Sequence, residues 1–135
     1  MTLKGHCYCG QLKYEVEGAP ITKGNCHCRE CQYISGGHPN AFIVMPDGEF
    51  KYTEGSPKSF KRADLEQPRT REFCGNCGTH ILTKSELRPG AVIIKVGTLD
   101  NPDIFDKPDM AIFTVDIQPF HRLDPETPSY ERMKT

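Results

Sequence analysis

Three close groups of cysteine are the residues best able to do chemistry: Cys7-Tyr8-Cys9-Gly10, Cys26-His27-Cys28-Arg29-Glu30-Cys31, and Cys74-Gly75-Asn76-Cys77-Gly78. The first and third share a grammar, a close cysteine pair followed at once by Gly and then by a strand. A metal-binding knuckle needs a tight turn, and Gly supplies the positive φ that lets backbone N–H groups face the sulfurs. Two knuckles give four thiolates, Cys7, Cys9, Cys74 and Cys77, the full tetrahedral set of a structural zinc site.

The central group offers three cysteines within six residues and no Gly after Cys31. Three thiolates leave one tetrahedral position open, the arrangement of a reactive rather than a structural zinc. His27, His38 or His80 could close it. His27 sits between two ligands, so its side chain should point elsewhere, and His80 reads as a strand-surface residue. A redox-active Cys28/Cys31 pair is another reading. One iron–sulfur cluster usually takes four cysteines, and none is left over.

An open three-thiolate zinc carries net negative charge, so it is a weak generator of hydroxide. It suits a soft fourth ligand, and a substrate thiol is the natural one. The chemistry would be thiol activation, or its reverse, release of a thiol from a carbon–sulfur bond.

Composition agrees with metal. A length of 135 residues fits one domain, residues 1–135, yet hydrophobic residues make up only 36% with no Trp, so a metal would help to hold the fold. Seven cysteines cannot all pair within one chain, and in a reducing cytosol close thiols mean metal or redox chemistry more often than disulfides. The net charge of -1, without a clustered basic face, excludes the usual footprint of a nucleic-acid binder. No export signal is visible and the longest apolar run, Ala41 to Met45, is far too short for a membrane span, so a cytoplasmic location is expected.

The elements that must position these groups read as short strands. Gln11 to Glu17 alternates, with Leu12, Tyr14 and Val16 on one face. Further strands are expected at Ala41 to Val44, Glu49 to Thr53, Ser59 to Lys61, Arg69 to Phe73, His80 to Thr83, Ala91 to Val96 and Ile112 to Ile117. A turn or two of helix is expected after Cys28, ending by Gly36-Gly37. Asn101 to Asp109 reads as a loop, and the chain from Pro119 as a tail wrapping the surface. The fold class is mainly β, one β-rich domain of short strands.

The order of these motifs, with Arg71-Glu72-Phe73-Cys74-Gly75-Asn76-Cys77-Gly78-Thr79 and Gly97-Thr98-Leu99-Asp100, resembles the glutathione-dependent formaldehyde-activating enzyme family from Gly5 to about Tyr130. The resemblance implies a β-tent of packed antiparallel sheets. It implies a structural zinc on Cys7, Cys9, Cys74 and Cys77 and a catalytic zinc on Cys26, Cys28 and Cys31, two ions per chain with the second the more labile. The implied activity is carbon–sulfur lyase chemistry, formation of S-hydroxymethylglutathione from glutathione and formaldehyde. Where many members show a His-Ile pair and later a Trp, this chain has Met110-Ala111-Ile112-Phe113 and Phe120-His121. If those positions line the pocket, the substrate has changed.

Other residues have plainer readings. Arg71 reads as an exposed strand residue or a structural ion pair, and otherwise as a partner for a ligand carboxylate. His121 reads as a surface histidine in a polar tail, and otherwise as a proton shuttle. Ser35-Gly36 is a helix stop or a donor of N–H groups to substrate. The competing functions are a non-catalytic zinc-stabilised binding module and a cysteine redox or metal-responsive protein. A pocket converging on the central cysteines would mark an enzyme, a flat apolar patch elsewhere a binding module. Edge strands allow a homodimer, though nothing demands one.

Overall fold

The computed structural model describes residues 1–134, and in it the chain forms two sheets of short strands and one two-turn helix. The smaller sheet has the order β1 (Thr2–His6), β2 (Lys13–Glu17), β5 (Phe50–Glu54), all antiparallel. The larger runs β10 (Met110–Ile112), β3 (Thr22–Cys26), β4 (Asn40–Pro46), β9 (Ala91–Lys95), β8 (His80–Lys84), β7 (Thr70–Phe73), β6 (Lys58–Phe60). Among the described strand pairs of this sheet, β10–β3 alone is parallel. The helix α1 spans Arg29–Ser35 and ends at Gly36 in the left-handed region (φ 86°), where glycine is unstrained.

Alternation decides what each face does. On β2, Tyr14 and Val16 point inward while Lys13 and Glu17 are exposed, as the sequence pattern requires. They meet Ile43, Met45, Ile81, Leu82, Val92 and Ile94 from the larger sheet, and this is the main core. Ile43, Ile81 and Ile94 are each 0% exposed, so each contributes about 1.5–3 kcal/mol by burial. The strand period of two sends Phe42, Val44, Ile93 and Lys95 to the opposite face of the same sheet. That second face, with Cys26, Cys31, Met110 and Ile112, carries the smaller cluster and the cavity described below.

Three strand expectations change. β1 and β3 were not expected, because their inward positions are Leu3 and Gly5 in one and Gly24 and Cys26 in the other. Glycine stands there because a neighbour fills the space: a Cβ on Gly5 would lie 2.3 Å from the Tyr14 ring, and one on Gly24 2.7 Å from Phe42. The expected strand Ile112 to Ile117 ends where it was to begin. Phe113 adopts φ 56°, ψ 41°, which turns the chain out of the sheet into a 3-10 turn at Thr114–Asp116. Within the Asn101 to Asp109 loop, Pro102–Phe105 forms another 3-10 turn capped by Asn101.

The tail is more than a wrapper. Ala111 donates to Pro128 (2.9 Å) and accepts from Tyr130 (2.9 Å), and Phe113 donates to Arg132 (3.1 Å), so the tail covers the outer edge of β10. No helix among the described residues is long and apolar enough to cross a membrane.

Candidate metal centres

The two knuckles meet although they are far apart in the chain. Gly10 and Gly78 take φ 83° and 78°, and their N–H groups close tight turns onto the carbonyls of Cys7 (3.0 Å) and Cys74 (2.8 Å). Backbone N–H groups face the sulfurs, from Leu12 to Cys7 Sγ (3.2 Å) and from Asn76 to Cys74 Sγ (3.4 Å). The Cys77 thiol is pulled down to about 5 by the Thr79 hydroxyl and backbone N–H. Thr79 also receives the Tyr8 N–H (3.1 Å), which ties one knuckle to the other.

The four Sγ atoms of Cys7, Cys9, Cys74 and Cys77 lie within 4.8 Å of one another, close enough to hold a metal ion. The spacing tests the fit. Four sulfurs about 2.3 Å from a tetrahedral zinc are about 3.8 Å from each other. Cys7–Cys9 measures 3.6 Å and Cys9–Cys74 3.8 Å. The donors therefore fit a thiolate-bound tetrahedral ion.

The second group is built on a helix start. Cys26 ends β3, Cys28 is the N-cap of α1, and Cys31 lies in its first turn. The Cys28 sulfur accepts the Cys31 N–H (3.3 Å), so the cap residue is itself a ligand candidate. The three Sγ atoms again lie within 4.8 Å of one another. The Cys26 and Cys31 thiols, donating to Cys28, draw its pKa down to about 2, with further help from the Cys31 N–H and Arg71. The same sharing pushes Cys26 up.

Among the described residues no histidine joins this trio. His27 points away, as expected, and is 1% exposed. His38 is exposed and packs edge-on against Phe120. His80 corrects its reading as a strand-surface residue: it stacks on Phe73 (centroids 5.5 Å apart), and its Nδ1 is buried without a partner. Burial, then Lys95 and Arg71, hold its pKa below the usual value.

His121 corrects the surface reading more sharply, being only 4% exposed. Its Nε2–H donates to the Gly37 carbonyl (2.7 Å), and its Nδ1 accepts from the Gln118 N–H (3.2 Å). Those partners fix the tautomer, which leaves His27 Nδ1–H to donate to His121 Nδ1 (3.1 Å). The peptide between Cys26 and Cys28 is thus held three ways. His27 N–H donates to Ile112 (2.9 Å), its carbonyl accepts from Gln32 Nε2 (2.7 Å), and its ring meets His121.

Arg71 is buried rather than exposed, and it is an ion pair, with Glu30 at 3.0 Å and Thr83 at 3.5 Å. The Gly36 and Gly37 N–H groups both bond Gln32 O, so Ser35-Gly36 is a helix stop.

A cavity of about 390 Å³ opens on the trio. Its walls include Phe42, Val44 and Ile93 from the sheet face and Met110, Ile112 and Phe113, so the first of the two segments that depart from the family pattern lines it, while Phe120-His121 does not. Its cations are Arg71, Lys95, Arg69 and Arg88, against the single acid Glu30. Lys95 is 8% exposed, burial lowers its pKa, and no acidic group among the described residues lies within ion-pair distance of it. Sequence reasoning missed it, although a lysine ending the run Ala91-Val92-Ile93-Ile94 is a visible anomaly.

The chain matches the model of the family described as glutathione-dependent formaldehyde-activating enzyme over residues 2–116. No curated protein matches it in sequence. Its fold is similar to that of a Rhodobacter sphaeroides protein solved as a structural-genomics target, at 19% identity and a TM-score of 0.62, covering 78% of this chain and 96% of that one. At that identity the likeness is one of fold. The matched residues take in both knuckles and the central trio, and the chain belongs to the glutathione-dependent formaldehyde-activating enzyme family.

Proposed function

We propose that this protein is a zinc-dependent carbon–sulfur lyase or synthase acting on the adduct of a small thiol and an aldehyde, glutathione and formaldehyde or a related pair. Cys7, Cys9, Cys74 and Cys77 would hold a structural zinc, and Cys26, Cys28 and Cys31 a reactive one. The observation that carries this reading is the cavity opening onto the trio, which supplies three ligand sulfurs and no fourth among the described residues. A zinc bound there would supply one thing, a position that keeps a substrate thiol ionised.

The chain's own groups do the rest. Cys28, as helix cap, fixes the trio's shape through the Cys31 N–H. Arg71 sets positive charge beside the sulfurs and is itself held by Glu30, which keeps it in place. In the synthase direction the sulfur–carbon bond forms as the carbonyl π bond opens onto oxygen, and the thiol's proton ends on that oxygen. The apolar walls exclude bulk water from this exchange. Free thiolates of this kind persist in reducing surroundings, which supports a cytoplasmic location.

Metal content tests the division. Wild type should carry two zinc ions per chain and folded Cys28→Ser one, with glutathione perturbing only the wild-type site. Cys74→Ser should lose the other ion and most of its stability. Two ions in Cys28→Ser, with thiol–aldehyde activity intact, would sink the proposal.

A further inference from the structure

The cavity has a chemistry of its own beyond the trio. Its body is apolar, with Phe42, Val44, Ile93, Met110, Ile112 and Phe113 on the walls, while the cations at its margin outnumber the one acid. Arg71 already has Glu30 as a partner, and Lys95 has no carboxylate among the described residues, the negative charge acting on it being that of the trio's sulfurs. Even with the trio's charge counted, four cations against Glu30 leave the cavity short of anions, and an acid group on a ligand would supply one.

Phe113 gives an independent pointer. It is held at φ 56°, ψ 41°, a conformation where Asn or Gly would be unstrained and a bulky side chain is an outlier. Strain of this kind persists where the surroundings require it, and here an aromatic residue is kept on the cavity wall. Asn40, Thr83 and Ser85 add polar groups to the lining, but the body formed by the six apolar side chains suits an apolar ligand better than one that carries two amides.

We propose that the cavity takes an amphipathic acid: an aryl or branched-alkyl body against Phe113 and the sheet face, one carboxylate-type head on Lys95, and its sulfur toward the trio. This rests on the reading of the trio as a thiol site and narrows it, from a small hydrophilic thiol to an apolar thiol acid or the adduct such a thiol forms.

Calorimetry on the zinc-loaded full chain tests it with four probes: 3-phenyl-2-sulfanylpropanoate, glutathione, 2-phenylethanethiol, and 3-phenylpropanoate, which lacks sulfur. The aryl thiol acid should bind at least tenfold tighter than glutathione. Lys95→Met should weaken both phenyl acids about tenfold and the neutral thiol less than twofold. Phe113→Asn should weaken every aryl probe several-fold while melting no lower than wild type, so the inference does not hang on one variant's folding.

Glutathione binding as tightly as the aryl thiol acid would overturn the inference. So would Lys95→Met acting equally on acid and neutral thiols, or causing only loss of metal, which would make Lys95 a counter-charge to the thiolates. Lys95-dependent binding of 3-phenylpropanoate, with no thiol perturbing the trio, would sustain this ligand class and remove the thiol-site reading instead.

Discussion

Replacing His121 by alanine removes a residue that touches no cysteine yet should disturb the central trio. The imidazole is 4% exposed and serves His27 Nδ1–H, the Gln118 N–H and the Gly37 carbonyl. Each lost bond carries about 0.5–1.5 kcal/mol, and partners left buried add desolvation, so the total is about 2–4 kcal/mol after allowing for a water in the space. For 135 residues the unfolding entropy is about 0.28 kcal/mol/K, which converts this to a melting temperature about 7–14 °C lower. Differential scanning calorimetry of the zinc-saturated protein measures it, with His38→Ala as control. That ring is exposed and stands 5.8 Å from His121, and it should shift melting by no more than about 2 °C. His27 lies between Cys26 and Cys28, so the trio's metal affinity should also fall at least tenfold in His121→Ala, as for other outer-shell partners. Melting within 2 °C of wild type and unchanged metal content would refute the reasoning.

Two further outcomes follow from the fold. Gly5→Ala should cost about 2–3 kcal/mol in urea unfolding, since its Cβ would lie 2.3 Å from the Tyr14 ring and 2.4 Å from the Thr98 carbonyl, whereas Gly48→Ala meets nothing and should be neutral. His80 has a folded pKa below its unfolded value of about 6.5, so the unfolded chain binds the extra proton and stability is lost as pH falls below that point. His80→Phe should therefore lose less stability than wild type between pH 7.5 and 5.5, and should be no less stable at pH 7.5, where the orphaned Nδ1 has gone. An equal pH slope in both proteins would refute that assignment.

The three cysteine groups were legible because spacing within each is a local property, and so were the alternating or Val/Ile-rich strands such as β2 and β9. β1 and β3 were hidden for a physical reason: their inward positions are partly glycine, made necessary by a Tyr14 or Phe42 ring from another strand. The Ile112 to Ile117 pattern misled because one residue, Phe113, takes a left-handed conformation that hydrophobicity does not reveal. His121 could not be read at all from its polar neighbours, since its partners are His27 and Gly37, 94 and 84 residues away. It also lies past Asp116, where the family match ends, so the brace on the trio comes from outside the matched segment.

The four-cysteine centre has a consequence for biosynthesis. Cys9 and Cys74 are separated by 65 residues, so at about 5–20 residues per second a ribosome needs about 3–13 s between making the first knuckle and the second. During that interval Cys7 and Cys9 are half a site. Cys26, Cys28 and Cys31, by contrast, emerge together. For the two zinc ions proposed above, the three-cysteine site would then be complete first, and the four-cysteine site that joins the two sheets only after β7 and the second knuckle have followed.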